Sequence, residues 1–322
     1  MQCCTSLTCI ALAAVTGAAT AADTNYPIRP IRVVVASAAG GGLDAVARIL
    51  SPRLSESMGQ SWVVDNRAGA GGNVGAEIVT RASPDGYTAL ASTSTVLTVN
   101  PSLYKMPFIV EKDLQPVTVL AAGEQVVVLH PSVPAKNLQE LIALAKQKPG
   151  ALNYASAGTG TAIHLGAELL KLRTGIEITQ IPYKGGGPAA TAVLGNEAQM
   201  MVGTVASTIA LIQAGRLRAL ATTGLKRSKL TPDLPTVAES GYPGFNAGLW
   251  FGLLVPNGTP KAVSERMLKE THKALQLNDV QTAMSRQGLE PDPTTPAEMA
   301  ARIKAETATW AGVVKKAGIR VE

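Results

Sequence analysis

Hydrophobic and polar positions along the chain follow two patterns in alternation, one typical of buried strands and one of amphipathic helices. Short β-branched or apolar runs precede stretches whose apolar residues are spaced three or four apart, as at Leu43, Val46, Leu50 and Leu54. This spacing places the apolar side chains on one face of a helix. The alternation predicts an α/β protein whose parallel sheets are covered by helices.

Nine short apolar runs are interpreted as strands: residues 33–35, 62–64, 88–91, 116–120, 126–129, 153–155, 176–181, 199–202 and 217–221. Amphipathic helices are predicted at 138–146, at about 262–277 and at about 296–316, and 288–293 is interpreted as a loop or a short edge strand. No linker rich in Pro and Ser divides the chain into halves. This favours two interleaved domains, with the chain crossing between them twice.

Three of the strand patterns end in a glycine-rich loop that opens a helical pattern, at residues 31–42, 62–73 and 152–161. A helix N-terminus leaves backbone N–H groups without intrahelical partners and carries a partial positive charge. Glycine allows a ligand to approach that backbone closely. Several such loops around one cleft therefore predict a binding site for a small anion with several carboxylates or phosphates.

The first residues have the pattern of an export signal. The apolar stretch 7–19 is too short to cross a bilayer, and Ala19-Thr20-Ala21 supplies small residues at cleavage-site spacing. We expect residues 1–21 to be a signal peptide cleaved near Ala21 and the protein to be periplasmic; a disordered, uncleaved N-terminus is the alternative. All three cysteines precede this point, so the exported chain has no thiol, disulfide or thiolate metal site.

Charge and motifs disfavour several other classes of function. The net charge is +6 without any run rich in Lys or Arg, which disfavours nucleic-acid binding. The chain has no Gly-x-Ser-x-Gly or Walker A motif, and His130, His164 and His272 have no cluster of metal-ligating neighbours. We therefore expect a binding protein without metal or cofactor. An enzyme acting on a small anion is the weaker alternative.

Ten segments of the chain carry a resemblance to a known family: residues 26–35, 39–44, 63–72, 84–88, 100–104, 156–165, 182–189, 214–221, 234–241 and 250–260. In these segments, taken in order, the chain resembles the Bug/TctC family of periplasmic solute receptors, which serve tripartite tricarboxylate transporters. The resemblance implies a type II periplasmic-binding-protein fold, with two α/β lobes, a ligand cleft between them and two hinge crossovers. One lobe would comprise 27–125 plus 223–322, and the other 126–222.

The same resemblance implies a monomer that closes on a small carboxylate and docks onto two integral-membrane transporter subunits. One loop from each lobe would grip the ligand. The expected ligand-binding residues are Ser37, Ala38, Gly41 and Gly42 in the first loop, Ser156, Gly158, Thr159 and Thr161 in the second, and also Ser92 and His164. The structural alternatives are a tight turn without a ligand for the first loop, helix capping for the hydroxyls of the second loop, packing or capping for His164 and a solvent-facing loop for Ser92.

Asp44 is expected to cap its helix and to pair with Arg48 rather than to contact an anion. The family usually has Pro-Phe where this chain has Ala36-Ser37, so the pocket is expected to be roomier or more polar. Many relatives carry an acidic residue near Gly203, and its absence here disfavours an amino-acid ligand. A sensor that signals to a membrane partner stays an alternative to delivery, because both functions need only closure around the ligand.

Overall fold

The computed structural model describes residues 26–321, so the predicted signal peptide lies outside the described residues. The strands are β1 (Ile31–Val35), β2 (Trp62–Asn66), β3 (Thr88–Thr93), β4 (Leu114–Gly123), β5 (Gln125–Leu129), β6 (Asn153–Ser156), β7 (Thr179–Pro182), β8 (Met200–Thr204), β9 (Arg218–Thr222), β10 (Leu249–Pro256) and β11 (Glu290–Pro291). Within residues 26–321, no helix combines the length and the apolar character needed to span a membrane.

The α-helices are α1 (Gly42–Met58), α2 (Asn73–Thr80), α3 (Asn100–Leu103), α4 (Val110–Asp113), α5 (Leu138–Gln147), α6 (Ala162–Thr174), α7 (Gly186–Leu194), α8 (Val205–Gln213), α9 (Lys261–Leu275), α10 (Asn278–Ser285) and α11 (Pro296–Ala317). A 3-10 turn (Ala70–Gly72) precedes α2, and a π-helical turn (Thr95–Val99) follows β3. The predicted helices near 138–146, 262–277 and 296–316 are confirmed as α5, α9 and α11.

Two mixed β-sheets form the centre of the fold. The first has the order β11-β4-β10-β3-β1-β2 and the second β7-β6-β8-β5-β9. Strands β2, β1 and β3 are parallel, as are β7, β6 and β8, but β10, β11 and β5 run antiparallel to their neighbours. The prediction of parallel sheets is therefore wrong for these three strands.

The direction of β5 and β10 follows from the path of the chain between the sheets. Strand β4 ends at Gly123 and β5 begins at Gln125 in the other sheet; the chain returns after β9 and enters β10 at Leu249. A strand that follows a crossing starts at the interface, whereas the remaining long strands end there. The two crossings lie side by side, because Thr223 N donates to Gln125 O (2.9 Å) and Ala247 N donates to Thr223 O (3.0 Å).

Each sheet is covered by helices on both faces. Helices α1, α9 and α10 pack on one face of the first sheet, and α2 with the first half of α11 packs on the other. Helices α5 and α6 cover one face of the second sheet, and α7 and α8 the opposite face. The second half of α11 leaves the first sheet: Trp310 and Val313 belong to the same buried cluster as Leu165 and Leu169 of α6.

Each of the nine predicted strands overlaps a strand of the structure, and one of the observed strands is shorter than predicted. The run 176–181 forms a strand only from Thr179, because Ile176 and Ile178 are buried in the core from the preceding loop. Residues 288–293 contain the short edge strand β11, one of the two alternatives. Strand β10 and helix α10 were not predicted.

Candidate functional site

The loops that follow β1, β3, β6, β7 and β8 all lie at the interface between the two sheets. The two crossings of the chain between the sheets lie at this interface, and each of these strands has its carboxyl end there. In open α/β sheets, ligands bind outside the carboxyl ends of strands. We call the side of the crossings that carries β1, β3, β6 and β8 the front.

The first loop joins β1 to α1 and presents an uncapped helix N-terminus. Ala36 is buried and bonded to β3 through its N–H, Ser37 is half-buried, and residues 38–42 are exposed. Gly41 occupies the N-cap position of α1, and no side chain caps this helix. The first N–H groups of α1 are therefore free of side-chain partners, in the positive field of a 17-residue helix.

Asp44 fixes the first loop from inside rather than facing a ligand. Its carboxylate accepts hydrogen bonds from Gly40 N (2.8 Å) and Arg48 Nε (2.9 Å), and Arg48 also donates to Asn66 (3.0 Å). Burial acts to raise the pKa of Asp44, but the hydrogen bonds from Arg48, Gly40 and Asn66 together hold it below its ordinary value. The predicted pair between Asp44 and Arg48 is confirmed.

Close packing behind the first loop explains the second glycine-rich stretch. A Cβ at Gly72 would lie 2.8 Å from Ala36 O, and one at Gly75 would lie 2.8 Å from Ala36 Cα. Gly42 lies against the ring of Phe251, with 3.3 Å between its virtual Cβ and Cζ. Sequence reasoning missed these packing roles, although the glycines at positions 72 and 75 recur at helical spacing.

Ser92 and Ser94 occupy the end of β3, beside the first loop. Ser92 is fully buried, and its hydroxyl donates to Thr93 O (3.3 Å), whereas Ser94 Oγ accepts a bond from Trp250 N (3.4 Å). The chain then enters the π-helical turn (Thr95–Val99), a local distortion that occurs frequently at functional sites. A ligand contact by Ser92 stays a prediction.

The second loop joins β6 to α6 and is held by its own hydroxyl groups. Ser156 Oγ accepts hydrogen bonds from Gln180 Nε2 (2.7 Å) and Gly158 N (3.3 Å). Thr161 is the N-cap of α6; its hydroxyl accepts from His164 N (3.4 Å) and donates to Gly158 O (2.7 Å). Thr159 is exposed at the tip of the loop. Capping explains the role of the Thr161 hydroxyl. The Ser156 hydroxyl accepts in both of its hydrogen bonds, so its own proton takes part in neither.

His164 supports the second loop from behind. Its Nδ1 accepts a hydrogen bond from Gly160 N (3.1 Å), its ring stacks on Tyr154 with centroids 6.4 Å apart, and only 4% of the residue is exposed. Burial lowers the pKa of His164, against a rise caused by Glu168. A neutral imidazole fits this arrangement, since only the neutral ring can accept at Nδ1. Ligand contact by His164 stays a prediction.

Three helix N-termini of the second sheet converge near this loop. A Cβ at Gly186, the first residue of α7, would lie 3.2 Å from Ile163 of α6 and 3.3 Å from Ser207 of α8. Thr204 caps α8, whereas no side chain caps α7. Sequence reasoning named only the α6 terminus. The convergence gives the front of the second sheet a positive field that suits an anion.

Three charged side chains near the front, those of Arg32, Asp65 and Arg67, are paired with one another. Arg67 Nε bonds Asp65 Oδ1 (3.0 Å), and Asp65 also bonds Arg32 Nε (2.8 Å). Residues 26–321 contain no group of three or more His, Cys, Asp or Glu side chains placed to hold a metal ion. Apart from these paired side chains and the exposed Lys184 in the loop after β7, this part of the fold presents backbone N–H groups and hydroxyls.

The two predicted loops are brought to one interface, and the second loop contacts segments from outside the second sheet. A Cβ at Gly160 would lie 3.3 Å from Val321 and 3.4 Å from Leu103, both outside the second sheet. Ser37, Ala38, Gly41 and Gly42 share the first loop, while Ser156, Gly158, Thr159, Thr161 and His164 share the second loop and the start of α6. Ser92 lies within β3, behind the loops.

The chain is similar to several proteins of known family or structure. Residues 46–319 match the family model described as the tripartite tricarboxylate transporter family receptor. Protein BugT of Bordetella pertussis is 39% identical over 303 residues, covering 94% of this chain and 93% of BugT.

Two solved structures of similar proteins contain carboxylates. A protein of R. palustris solved with adipate is 34% identical, with a TM-score of 0.78, and covers 92% of this chain and 99% of its own. MatC of Rhodopseudomonas palustris with bound malate is 29% identical, with a TM-score of 0.74. The match covers 90% of this chain and 100% of MatC. The two-lobe α/β fold implied by the resemblance is confirmed. The chain belongs to the tripartite tricarboxylate transporter receptor family.

Proposed function

We propose that this chain is a periplasmic receptor that closes its two lobes on a small carboxylate and delivers it to a tripartite tricarboxylate-type membrane transporter. The uncapped, exposed N-terminus of α1, at the interface with the second sheet, carries the proposal. A carboxylate accepts hydrogen bonds from such N–H groups and is favoured by the helix field. Adipate and malate in the related structures agree with this class of ligand.

The second loop would complete the site on the other lobe. Ser156 can donate its hydroxyl proton, because both observed bonds at its oxygen are accepted ones. A ligand held by both loops binds the closed arrangement better than the open one, which is the condition for closure. We propose lobe boundaries at 27–125 plus 223–322 and at 126–222, with the end of α11 packed on the second lobe.

A substitution at Gly41 tests the site with little risk to the fold. Gly41 has φ −82°, and a Cβ there meets only Ala38 O at 3.7 Å, so a side chain fits. Gly41→Asp places a carboxylate at the N-cap, where Asp stabilises a helix, and that carboxylate competes with the ligand for the α1 N–H groups. Gly41→Ala adds a Cβ without charge and serves as the control.

The experiment is a thermal-shift screen against malate, adipate, citrate, aspartate and nucleotides, followed by calorimetry of each acid that raises Tm. We expect a carboxylate to raise the Tm of the unsubstituted chain and of Gly41→Ala, and to leave Gly41→Asp unchanged. Binding of carboxylates with equal affinity to Gly41→Asp would remove the α1 N-terminus from the site. A response to nucleotides alone would overturn the carboxylate proposal.

A further inference from the structure

A cavity lies on the side of the crossings opposite to the front. It has a volume of about 650 Å³ and is lined by residues from both crossings, from the segment after β9, from β11 and from α11. In the strand order, β11 lies beyond β4 in the first sheet and β9 lies beyond β5 in the second, away from the ligand-facing loops. We call this cavity the rear groove.

Contacts across the rear groove join the two halves of the molecule. Gly288, beyond α10, lies against the start of α8, where a Cβ would be 2.8 Å from Ala206 N. Glu290 Oε1 accepts hydrogen bonds from Ser228 Oγ (2.9 Å) and Lys229 N (3.0 Å), in a segment after β9 that packs on the second sheet through Leu230 and Leu234. Any rotation of one sheet against the other about the crossings changes these contacts.

Glu124 is placed at the pivot of such a rotation. It is the single residue between β4 and β5, and its carbonyl accepts a hydrogen bond from Val205 N (3.3 Å) at the start of α8. Its side chain lines the rear groove against Gly224, where any Cβ would collide with the carboxylate. Its Oε2 atom is fully buried and has no hydrogen-bond partner in the part of the chain that the structure describes.

The acidic and basic groups around Glu124 are mostly engaged with one another. Arg302 of α11 bonds Asp292 (2.8 Å) and Glu306 (3.0 Å). Arg227 bonds Glu239 (2.9 Å) in the segment after β9.

The remaining charged groups on the groove are Glu290, Lys226 and Lys229. Among residues 26–321, the two lysine ammonium groups form no ion pair with a carboxylate. The pKa of Glu124 is raised to about 7, mainly by burial. The charge of Glu290 contributes to this rise, and the Thr222 hydroxyl opposes it.

We propose that the rear groove is a proton-sensitive device that couples the protonation of Glu124 to the arrangement of the two lobes. The proposal rests on the lobe closure argued above. Because the crossings lie between the front and the rear, rotation that closes the front widens the rear groove and hydrates Glu124. Hydration favours the carboxylate, so closure releases a proton from this residue.

The sign of the pH effect follows from this linkage. The protonated carboxyl favours the arrangement with the rear groove shut and the front open, and the carboxylate favours the closed front. Lowering the pH from 8 to 6 therefore opens the front. If hydration returns the pKa of Glu124 to the ordinary Glu value, the closed population and the ligand affinity fall by at most about tenfold over this range.

The test measures the lobe arrangement without any ligand. Spin labels at Lys269→Cys on α9 and Ala143→Cys on α5 report the distance between the lobes in the full chain, with Cys3, Cys4 and Cys9 replaced by serine. We expect the distance distribution to shift with a midpoint near pH 7. The shift should be absent in Glu124→Gln and retained in Glu111→Gln, a matched change at an exposed glutamate.

An equal pH shift in Glu124→Gln, or no shift between pH 6 and 8 in the chain that retains Glu124, would overturn the proposal. Should Glu124→Gln fail to fold, Glu290→Gln replaces it, and its midpoint should move to lower pH because one negative charge is removed. Carbon-13 titration of the Glu124 carboxyl gives a direct reading. These readouts need no ligand, so the absence of carboxylate binding in the screen would contradict the proposed function and leave this result standing.

Discussion

At the scale of single residues, two hydroxyls of the second loop, those of Thr161 and Ser156, differ in how their hydrogen-bonding positions are used. Thr161 both accepts and donates within the loop, so its hydroxyl is used in capping α6. Ser156 accepts from Gln180 and Gly158 but is not a donor in either bond. A hydroxyl has one donor and two acceptor positions. Ser156 therefore keeps a hydroxyl proton that can be donated to a carboxylate.

Replacing Ser156 by alanine should weaken carboxylate binding more than it lowers stability. Loss of a hydrogen bond to a charged group costs about 1.5 kcal/mol or more, which is about tenfold in Kd. Calorimetry with malate and adipate measures this change. Ser240→Ala, which removes a buried hydroxyl bonded to Thr236 O (2.8 Å) far from both loops, is the control and should leave Kd unchanged. Equal Kd values for Ser156→Ala and the unsubstituted chain would exclude Ser156 from the site.

Asp44 should stabilise the fold in a pH-dependent way. Its pKa is lowered in the folded chain, so its contribution is present above the ordinary Asp pKa and is lost as the pH falls through the folded value. Asp44→Asn should therefore lower the unfolding free energy by about 1 kcal/mol at pH 7. The difference should shrink as the pH falls and the Asp44 carboxylate is protonated, which denaturant titrations at pH 7 and at acidic pH measure. Asp233→Asn, at an exposed position, should have no effect, and a loss for Asp44→Asn that does not change with pH would contradict the linkage.

At the scale of elements, the sequence predicted which segments are strands better than which way they run. A β-branched run such as 126–129 has the same pattern in a parallel or an antiparallel pair, so the reversal of β5 could not be read from it. Strand β10 was missed because Leu249–Pro256 is an apolar run without alternation, which periodicity alone does not assign. Helix α10 has only eight residues and two buried apolar side chains, Val280 and Met284.

The strand–loop–helix junctions of the candidate site could be predicted because each lies within one short segment of the sequence. The loops at 36–44 and 156–161 each carry their glycines and the following helix within a few residues, so local rules were sufficient. The convergence of Gly186, Ile163 and Ser207 joins three helices far apart in sequence. The raised pKa of Glu124 likewise includes a contribution from the charge of Glu290, 166 residues away by the chain numbering. Such features arise from tertiary packing and have no local signal.

Helix α11 spans both cores, which its apolar pattern did not show. Met299 and Ile303 pack with Trp250 in the first sheet, and Trp310, Val313 and Val314 pack with α6 in the second. One apolar stripe predicts a buried face but not the identity of the core that buries it. The helix is thus a third connection between the lobes, in addition to the two crossings.

Truncation of Trp310 should destabilise the second lobe in particular. Trp310→Ala removes a buried aromatic side chain, at a cost of about 3–5 kcal/mol. Hydrogen exchange should increase in α6, around Leu165 and Leu169. Ile303→Ala is the matched control in the other half of the helix and should increase exchange around Val96 and Leu97. Increased exchange confined to the first sheet in both variants would show that α11 does not stabilise the second lobe.

At the scale of the whole molecule, three connections restrict the lobes to rotation about the crossings. The crossings are bonded to each other through Thr223, Gln125 and Ala247, and α11 links the rear groove at Arg302 to the second loop, where Val321 lies against Gly160. Closing the front therefore requires the rear groove and the C-terminal end of α11 to adjust together.

Ligand binding should then make the whole chain more compact. Closure requires that the ligand bind the closed state more tightly than the open one, and two or three charge-assisted hydrogen bonds from each loop supply this preference. Small-angle scattering should show a smaller radius of gyration when a saturating carboxylate is added. Gly41→Asp should show no change on the same addition, because its own carboxylate occupies the α1 N-terminus. Calorimetric binding without compaction would mean that one lobe holds the ligand alone and would contradict the proposed closure on the ligand.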